Sequence, residues 1–240
     1  MKKPAQMKKK ISSMLVLGTL VIGLSGFNVL LSIQLVALNA NFYMSSWSDL
    51  GIAKTVAISE RDLATIGKHL LAYFTGSVSS PQVEVEIDGT VMPIFKEHEI
   101  QHLEDVRGLF RLGISAKHAC EALIVIGVFI ATFQKEPITK NLQKALRLSC
   151  ATLCVFVILI AAGAVFDFSK WWTTFHLAVF SNDLWLLDPQ SDRLIQIFPE
   201  QFFYKAVTRI FVISLALTGL YLILSFLVGH IPTYHSKQYA

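Results

Sequence analysis

Two stretches of this 240-residue chain hold side chains that could carry proton-transfer chemistry. The first is HLEDVR, from His102 to Arg107. On a helix its spacing sets the Asp105 carboxylate beside the His102 imidazole, where it would orient the ring and raise its basicity. Arg107 and Arg111 are placed to pair with Glu104 or with a lipid headgroup; the plainer reading is a solvated, charged helix start. The second stretch, Phe175 to Phe203, carries His176, Asn182, Asp183, Trp185, Asp188, Asp192 and Arg193 among strongly apolar neighbours. Asp188-Pro189 marks a turn, and Asp188 and Asp192 suit turn capping at least as well as catalysis. Neither stretch has a chelating pattern by spacing alone; a metal site built from His102, His176 and an aspartate is the alternative.

Other common chemistries lack their residues. No GxSxG, Gly-rich phosphate loop or EF-hand pattern occurs; the HExxH spelling does occur, once, as HEIQH from His98 to His102. Acyl transfer here would therefore proceed without an obvious serine or cysteine nucleophile. Cys120, Cys150 and Cys154 fall within or at the ends of apolar runs and read as packing residues. His69 and His98 read as solvated, while His118 stands at the outer end of an apolar run, nearer the candidate chemistry.

The elements that must position these residues are membrane helices. Hydrophobic residues make up 53% and charged residues 16% of the chain, against about 25% charged in soluble domains. The mean hydropathy is +0.54. This disfavours a disordered chain, a secreted mini-protein and a soluble enzyme. Apolar runs cover about 12–38, 114–133, 148–166 and 207–228. Each is close to the roughly 20 residues that cross about 30 Å of hydrocarbon, and backbone groups in lipid must be satisfied internally, so all four are read as helices. The second run is the least apolar, because Lys117, His118 and Glu121 lie in its first turns. The first is longer than a signal-peptide core and is read as a retained helix.

Charge sets the orientation. The segments before run one, between runs two and three and after run four hold ten basic residues and one acidic, among them Lys2, Lys135, Lys140, Lys144, Arg147, Lys237 and Glu136. The remainder holds eleven basic and sixteen acidic. The positive-inside rule puts both termini, with His230 and His235, in the cytoplasm and the two long connections outside. The net charge of +4 is thus a topology signal, and no nucleic-acid partner is needed to explain it. The whole is expected to be mainly α: one integral membrane domain, a four-helix transmembrane bundle with a small extracellular α/β cap at about 39–113 and an extracellular loop at 167–206. Within the cap, Ser59 is the expected N-cap of an amphipathic helix carrying Leu63, Ile66, Leu70 and Phe74 and stopped by Gly76. VEVEIDGTVMPIF alternates around Asp88-Gly89, a hairpin signal, and HEIQHLEDVRGLF turns helical again and leads into run two. Trp171 and Trp172 suit a membrane interface.

With these features in place the sequence resembles the lipoprotein intramolecular transacylase family, Lit, of Gram-positive bacteria. The resemblance covers nearly the whole chain: the basic start, four spans, AYFTG after the amphipathic helix, HLEDVR before span two, and FHxxxFxNxxWxLDPxxDxLIxxxPxxFF before span four. It implies a cell-membrane enzyme that moves an acyl chain from the sn-2 glyceryl ester of a diacylglyceryl lipoprotein to the α-amine of that lipoprotein's N-terminal cysteine, giving the lyso form. The substrate is the lipoprotein, membrane phospholipid surrounds the enzyme, and no cofactor is required. The two family histidines map onto His102 and His176, His102 being favoured as base and His176 as oxyanion donor, with the reverse order open. Asp105 is the expected orienter of His102; Arg107, Asn182, Trp185 and Tyr73 are expected to position substrate, with Asp188 and Asp192 in support. An α-amine titrates near 7.7–8.0 and histidine near 6.5, so an imidazole base is suitably poised. Competing readings are a metal-assisted hydrolase, an intermolecular acyltransferase using the same histidines, and a non-enzymatic membrane assembly protein.

Overall fold

The computed structural model describes residues 3–87, 89–134 and 138–230. Lys2, Asp88, Lys135, Glu136, His235 and Lys237, used above for topology and turn, lie outside the described residues. The chain is mainly helical: α1 (Lys3–Ala37), α2 (Ala40–Leu50), α3 (Ile52–Val56), α4 (Glu60–Thr75), β1 (Glu84–Ile87), β2 (Thr90–Pro93), α5 (Glu97–Phe133), α6 (Ile138–Phe166), α7 (Phe168–Val179), α8 (Arg193–Ile197) and α9 (Glu200–Gly229). Four of these, α1, α5, α6 and α9, are long and apolar enough to cross a membrane. At 1.5 Å per residue, α5 is about 55 Å long, well beyond the hydrocarbon thickness. Its charged first half, up to about residue 113, is therefore not needed to cross a bilayer, since the apolar run from 114 to 133 is long enough by itself.

The chain divides into two compact units. One comprises residues 1–32, 115–159 and 211–240. Its core joins Val16, Leu20 and Leu24 of α1 to Ala131 of α5, Ala145, Leu146 and Leu153 of α6, and Tyr221 of α9. Lipid is as apolar as these side chains, so close packing and interhelical hydrogen bonds must hold such helices together. Asn28 is fully buried; its side-chain oxygen accepts from Ser214 Oγ at 2.7 Å, and its amide lies 3.4 Å from the Ser214 carbonyl and Thr218 Oγ1. The Tyr221 hydroxyl donates to the Leu24 carbonyl. Close approach of α1 and α5 depends on Gly26, where a Cβ would stand 2.5 Å from Cys120 Sγ.

The other unit comprises residues 33–114 and 160–210 and carries every candidate site residue. Its core is aromatic: Tyr43 and Trp47 of α2 meet edge to face, and both pack on Phe198 and Phe202 around the start of α9. α4 begins and ends as its sequence signals require. Ser59 Oγ accepts the Asp62 N–H, and Gly76, at φ 87°, sends its own N–H back to the last carbonyls. Leu63, Ile66, Leu70, Tyr73 and Phe74 form its buried stripe. β1 and β2 pair antiparallel, Glu84 with Pro93 through Ile87 with Thr90, burying Val85 and Ile87 and leaving β2 exposed.

The long connection before α9, expected as a loop, contains two helices. In α7 apolar and aromatic residues recur at 168, 171, 172, 175 and 179, which is helical spacing, and Asp167 caps its first turn by accepting the Lys170 N–H. The tryptophans that read as interface markers belong to this stripe. Glu99, wholly buried, joins α5 to α8: one carboxylate oxygen accepts the Lys96 N–H at 2.7 Å and the other the Leu194 N–H at 2.6 Å. A second carboxylate reinforces this joint. Asp192 accepts from Lys96 Nζ (2.8 Å), His98 Nε2 (3.0 Å) and the Asp188 N–H (2.8 Å).

Candidate active site

His102 stands in the second turn of α5 and His176 near the end of α7. Although 74 positions separate them in sequence, their ring centroids are 6.4 Å apart and the rings are tilted by 31°. Both residues are buried, at 7% and 8% exposure. Aromatic rings surround them. Trp172 and Phe175 present edges to His176, Trp185 stacks on it at 4.9 Å, and Phe180 touches both imidazoles, at 5.2 Å from His102 and 5.7 Å from His176.

Hydrogen bonding distinguishes the two rings. His176 Nδ1 lies 2.8 Å from the Trp172 carbonyl oxygen. A carbonyl only accepts, so Nδ1 carries the proton and the neutral ring keeps a lone pair at Nε2. His102 Nδ1 is buried and has no hydrogen-bond partner among the described residues. An orphaned acceptor is tolerated better than an orphaned N–H, which favours the tautomer that leaves Nδ1 bare and protonates Nε2. Electrostatics keeps both rings neutral. Burial pushes the His102 imidazole down to about 4, neighbouring His176 pushes in the same sense, and Asp105 opposes them. Burial also lowers His176, partly offset by its bond to the Trp172 carbonyl.

The other expected residues fall into groups. Asp105 reaches His102 through its field, while one of its carboxylate oxygens accepts from Asn182 Nδ2 at 2.9 Å. Asn182 Oδ1 accepts the Leu184 N–H, and Trp185 follows in the same turn. These residues gather with the histidines. Tyr73 and Arg107 instead engage each other: the guanidinium lies 4.4 Å over the phenol ring, with Nη1 directed to the Ser79 carbonyl. No hydrogen bond or ring contact joins either to the histidines among the described residues. Asp188 caps its own turn, accepting from the Gln190 N–H and Ser191 Oγ. Asp192 is part of the joint at the start of α5. Burial alone would raise its carboxyl, but hydrogen bonds from Lys96, His98 and the Asp188 amide hold it well below the ordinary range.

His98, expected in solvent, is half-exposed and bound to Asp192, and His69 meets the Ser80 carbonyl. His118 pairs with Glu121. Among the described residues no group of three or more His, Cys, Asp or Glu side chains could hold a metal ion. Sequence reasoning missed Trp172, Phe180 and Glu99. Phe180 had a signal, since it lies four residues after His176 on the same helical face. Glu99 lies inside the HEIQH run, but that spelling does not foretell its partners, which are backbone amides, one of them 95 positions away.

A family model described as lipoprotein intramolecular transacylase Lit matches residues 18–203. No curated protein matches the chain. Among solved structures, the fold is similar to the membrane integral lipoprotein intramolecular transacylase Lit from Bacillus cereus, with a TM-score of 0.75 and 20% identity over 90% of this chain and 95% of that one. Variants of that protein with a histidine replaced by arginine or by alanine give TM-scores of 0.75 and 0.74 at 18% and 19% identity, over 95% and 94% of this chain and 97% of each of theirs. At that identity the structural likeness speaks for the fold. The sequence model speaks for the lineage, since it spans well over half of the chain: this protein belongs to the lipoprotein intramolecular transacylase Lit family.

Proposed function

We propose that this chain moves an acyl group from the sn-2 glyceryl ester of a diacylglyceryl lipoprotein to the α-amine of the same molecule's N-terminal cysteine, leaving the lyso form. The observation that carries this reading is the pair of buried imidazoles with opposite hydrogen-bonding states, 6.4 Å apart between centroids. His176, with Nδ1–H committed to the Trp172 carbonyl, offers Nε2 as the base. His102, held neutral by burial, offers an N–H to an oxyanion. This reverses the order favoured from sequence, and the reason is basicity: an imidazole pushed down to about 4 by burial is a weak base but a serviceable neutral donor.

The reaction balances without an acyl-enzyme. The cysteine's ammonium first loses one proton to water. As the nitrogen attacks the ester carbonyl, its second proton passes to His176 Nε2 and the developing oxyanion accepts from His102. When the ester C–O bond breaks, His176 returns that proton to the departing sn-2 oxygen. Donor and acceptor share one molecule, and well-oriented intramolecular reactions reach effective molarities of about 10⁵–10⁸ M. Such proximity takes the place of a serine or cysteine nucleophile. The charge distribution along the chain supports a site on the outer face, cytoplasmic termini, and acyl chains entering from the surrounding phospholipid.

Mass spectrometry of a model lipoprotein tests this, in a host lacking other N-acylating enzymes. The protein would be supplied as wild type, His102→Asn or His176→Asn, or left out. Substrate and product have equal mass, so fragmentation must locate one chain on the N-terminal amine. Transfer by wild type alone supports the proposal. A free N-terminus in every sample refutes it.

A further inference from the structure

The segment between α7 and α8, residues 180–192, is mostly exposed and has no regular secondary structure, yet it supplies the ring stacked on His176. Short-range bonds fold it locally; those nearest Asn182 run from Leu184 N–H to Asn182 Oδ1 at 3.1 Å and from Leu186 N–H to the Asp183 carbonyl at 3.0 Å. Neither ties it to α5, which carries the other histidine. At the far end of the segment Asp192 bonds His98 of α5; beside Trp185 the Asn182 amide makes the connection, donating through Nδ2 to Asp105 Oδ2. Asp105 lies three residues beyond His102, one turn along the same helical face.

We propose that Asp105 and Asn182 form a latch that sets the spacing of the two imidazoles, with Asn182 acting as a positioning residue and not as a substrate contact. The inference rests on the transacylase reading above. One primary amide serves two bonds of opposite polarity: its oxygen shapes the turn that bears Trp185, and its nitrogen docks that turn on the helix of His102. Only an amide has both an acceptor and a donor in this arrangement. Asp105 in turn has a task beyond its field on His102, namely to receive the loop. The latch is charge-assisted and joins segments 77 positions apart.

The chemistry of the pair supplies a decisive test. Asn182→Asp keeps the oxygen that caps Leu184 but cannot donate, and it places a second carboxylate against Asp105. Acyl transfer should fall by about 100-fold, the loss associated with misplacing reacting groups by 1 Å. Backbone amides from 183 to 187 should exchange faster with deuterated water. Asp105→Asn keeps an acceptor for the amide and should fall less. The exchanged pair, Asp105→Asn with Asn182→Asp, rebuilds the bond with donor and acceptor reversed; it should recover most of the lost rate and the lost protection. A merely unfolded or substrate-binding defect would not be repaired in this way. Wild-type rates in Asn182→Asp overturn the proposal, as does an exchanged pair as slow as Asn182→Asp alone. If the wild-type protein transfers no acyl chain, the transacylase reading fails. The amide-exchange arm then decides the latch by itself: unchanged protection in Asn182→Asp overturns it.

Discussion

Glu99 has no part in the proposed chemistry, yet the structure predicts a large cost for changing it. Its carboxylate is fully buried, and each oxygen accepts one backbone N–H, at 2.6 and 2.7 Å, from the starts of two different helices. Glu99→Gln preserves volume and one acceptor. The amide nitrogen that replaces the second oxygen then confronts an N–H that has no other partner, donor against donor. An unsatisfied buried donor costs about 1–3 kcal/mol, and bonds to a charged acceptor contribute about 1.5–3 kcal/mol. A destabilisation of about 3 kcal/mol follows. Glu99→Ala orphans both N–H groups and opens a void, which raises the expected loss to about 4–5 kcal/mol. Domain stabilities are about 5–15 kcal/mol, so either change should be visible. The measurement is denaturant unfolding in detergent micelles combined with amide exchange at Lys96 and Leu194. Both amides should lose protection, and acyl transfer should drop with them, because His102 sits one turn after Glu99. A Glu99→Gln protein within about 0.5 kcal/mol of wild type, with both amides still protected, would refute the bonding argument.

Two further outcomes follow from the same structure. His102 is held at about 4 in the folded chain against an ordinary value of 6.5, so between those limits the unfolded chain binds more protons. Stability fully present above pH 6.5 should be lost as pH falls toward 4, by up to about 3 kcal/mol from this group, and the lowered His176 adds in the same direction. Unfolding free energies measured across that window should show a shallower slope in His102→Asn than in wild type; parallel slopes would sink the claim. In the membrane-spanning unit, Gly26→Ala forces a methyl against Cys120 Sγ and should cost about 1–3 kcal/mol by overpacking. Adding Cys120→Ala should recover most of that loss in a double-mutant cycle, and purely additive effects would show that the contact is not the cause.

Much of this protein was legible in its sequence because membranes impose simple rules. Apolar runs of spanning length must be helices, so α1, α5, α6 and α9 follow from composition alone. Local signals were equally plain in α4, where Ser59 and Gly76 mark the ends, and in the alternation that pairs β1 with β2. The two histidines could be singled out because imidazoles and carboxylates are conspicuous among apolar neighbours. α7 was less legible, since its aromatic stripe is also what a membrane interface selects.

Tertiary structure decided what no spacing rule reaches. The contact of His102 with His176 spans 74 positions, and the Asp105–Asn182 bond spans 77. Sequence proximity suggested a carboxylate beside His102; the fold also gives that carboxylate a neutral amide from a distant loop. It also separates Tyr73 and Arg107 as a mutual pair and enlists Asp192 with Glu99 to fix the start of α5. Roles within the histidine pair depend on which ring nitrogen finds a carbonyl and which finds none. Residue type states what a group can donate or accept. Only packing determines which partner comes within 3 Å and how much water is left around it.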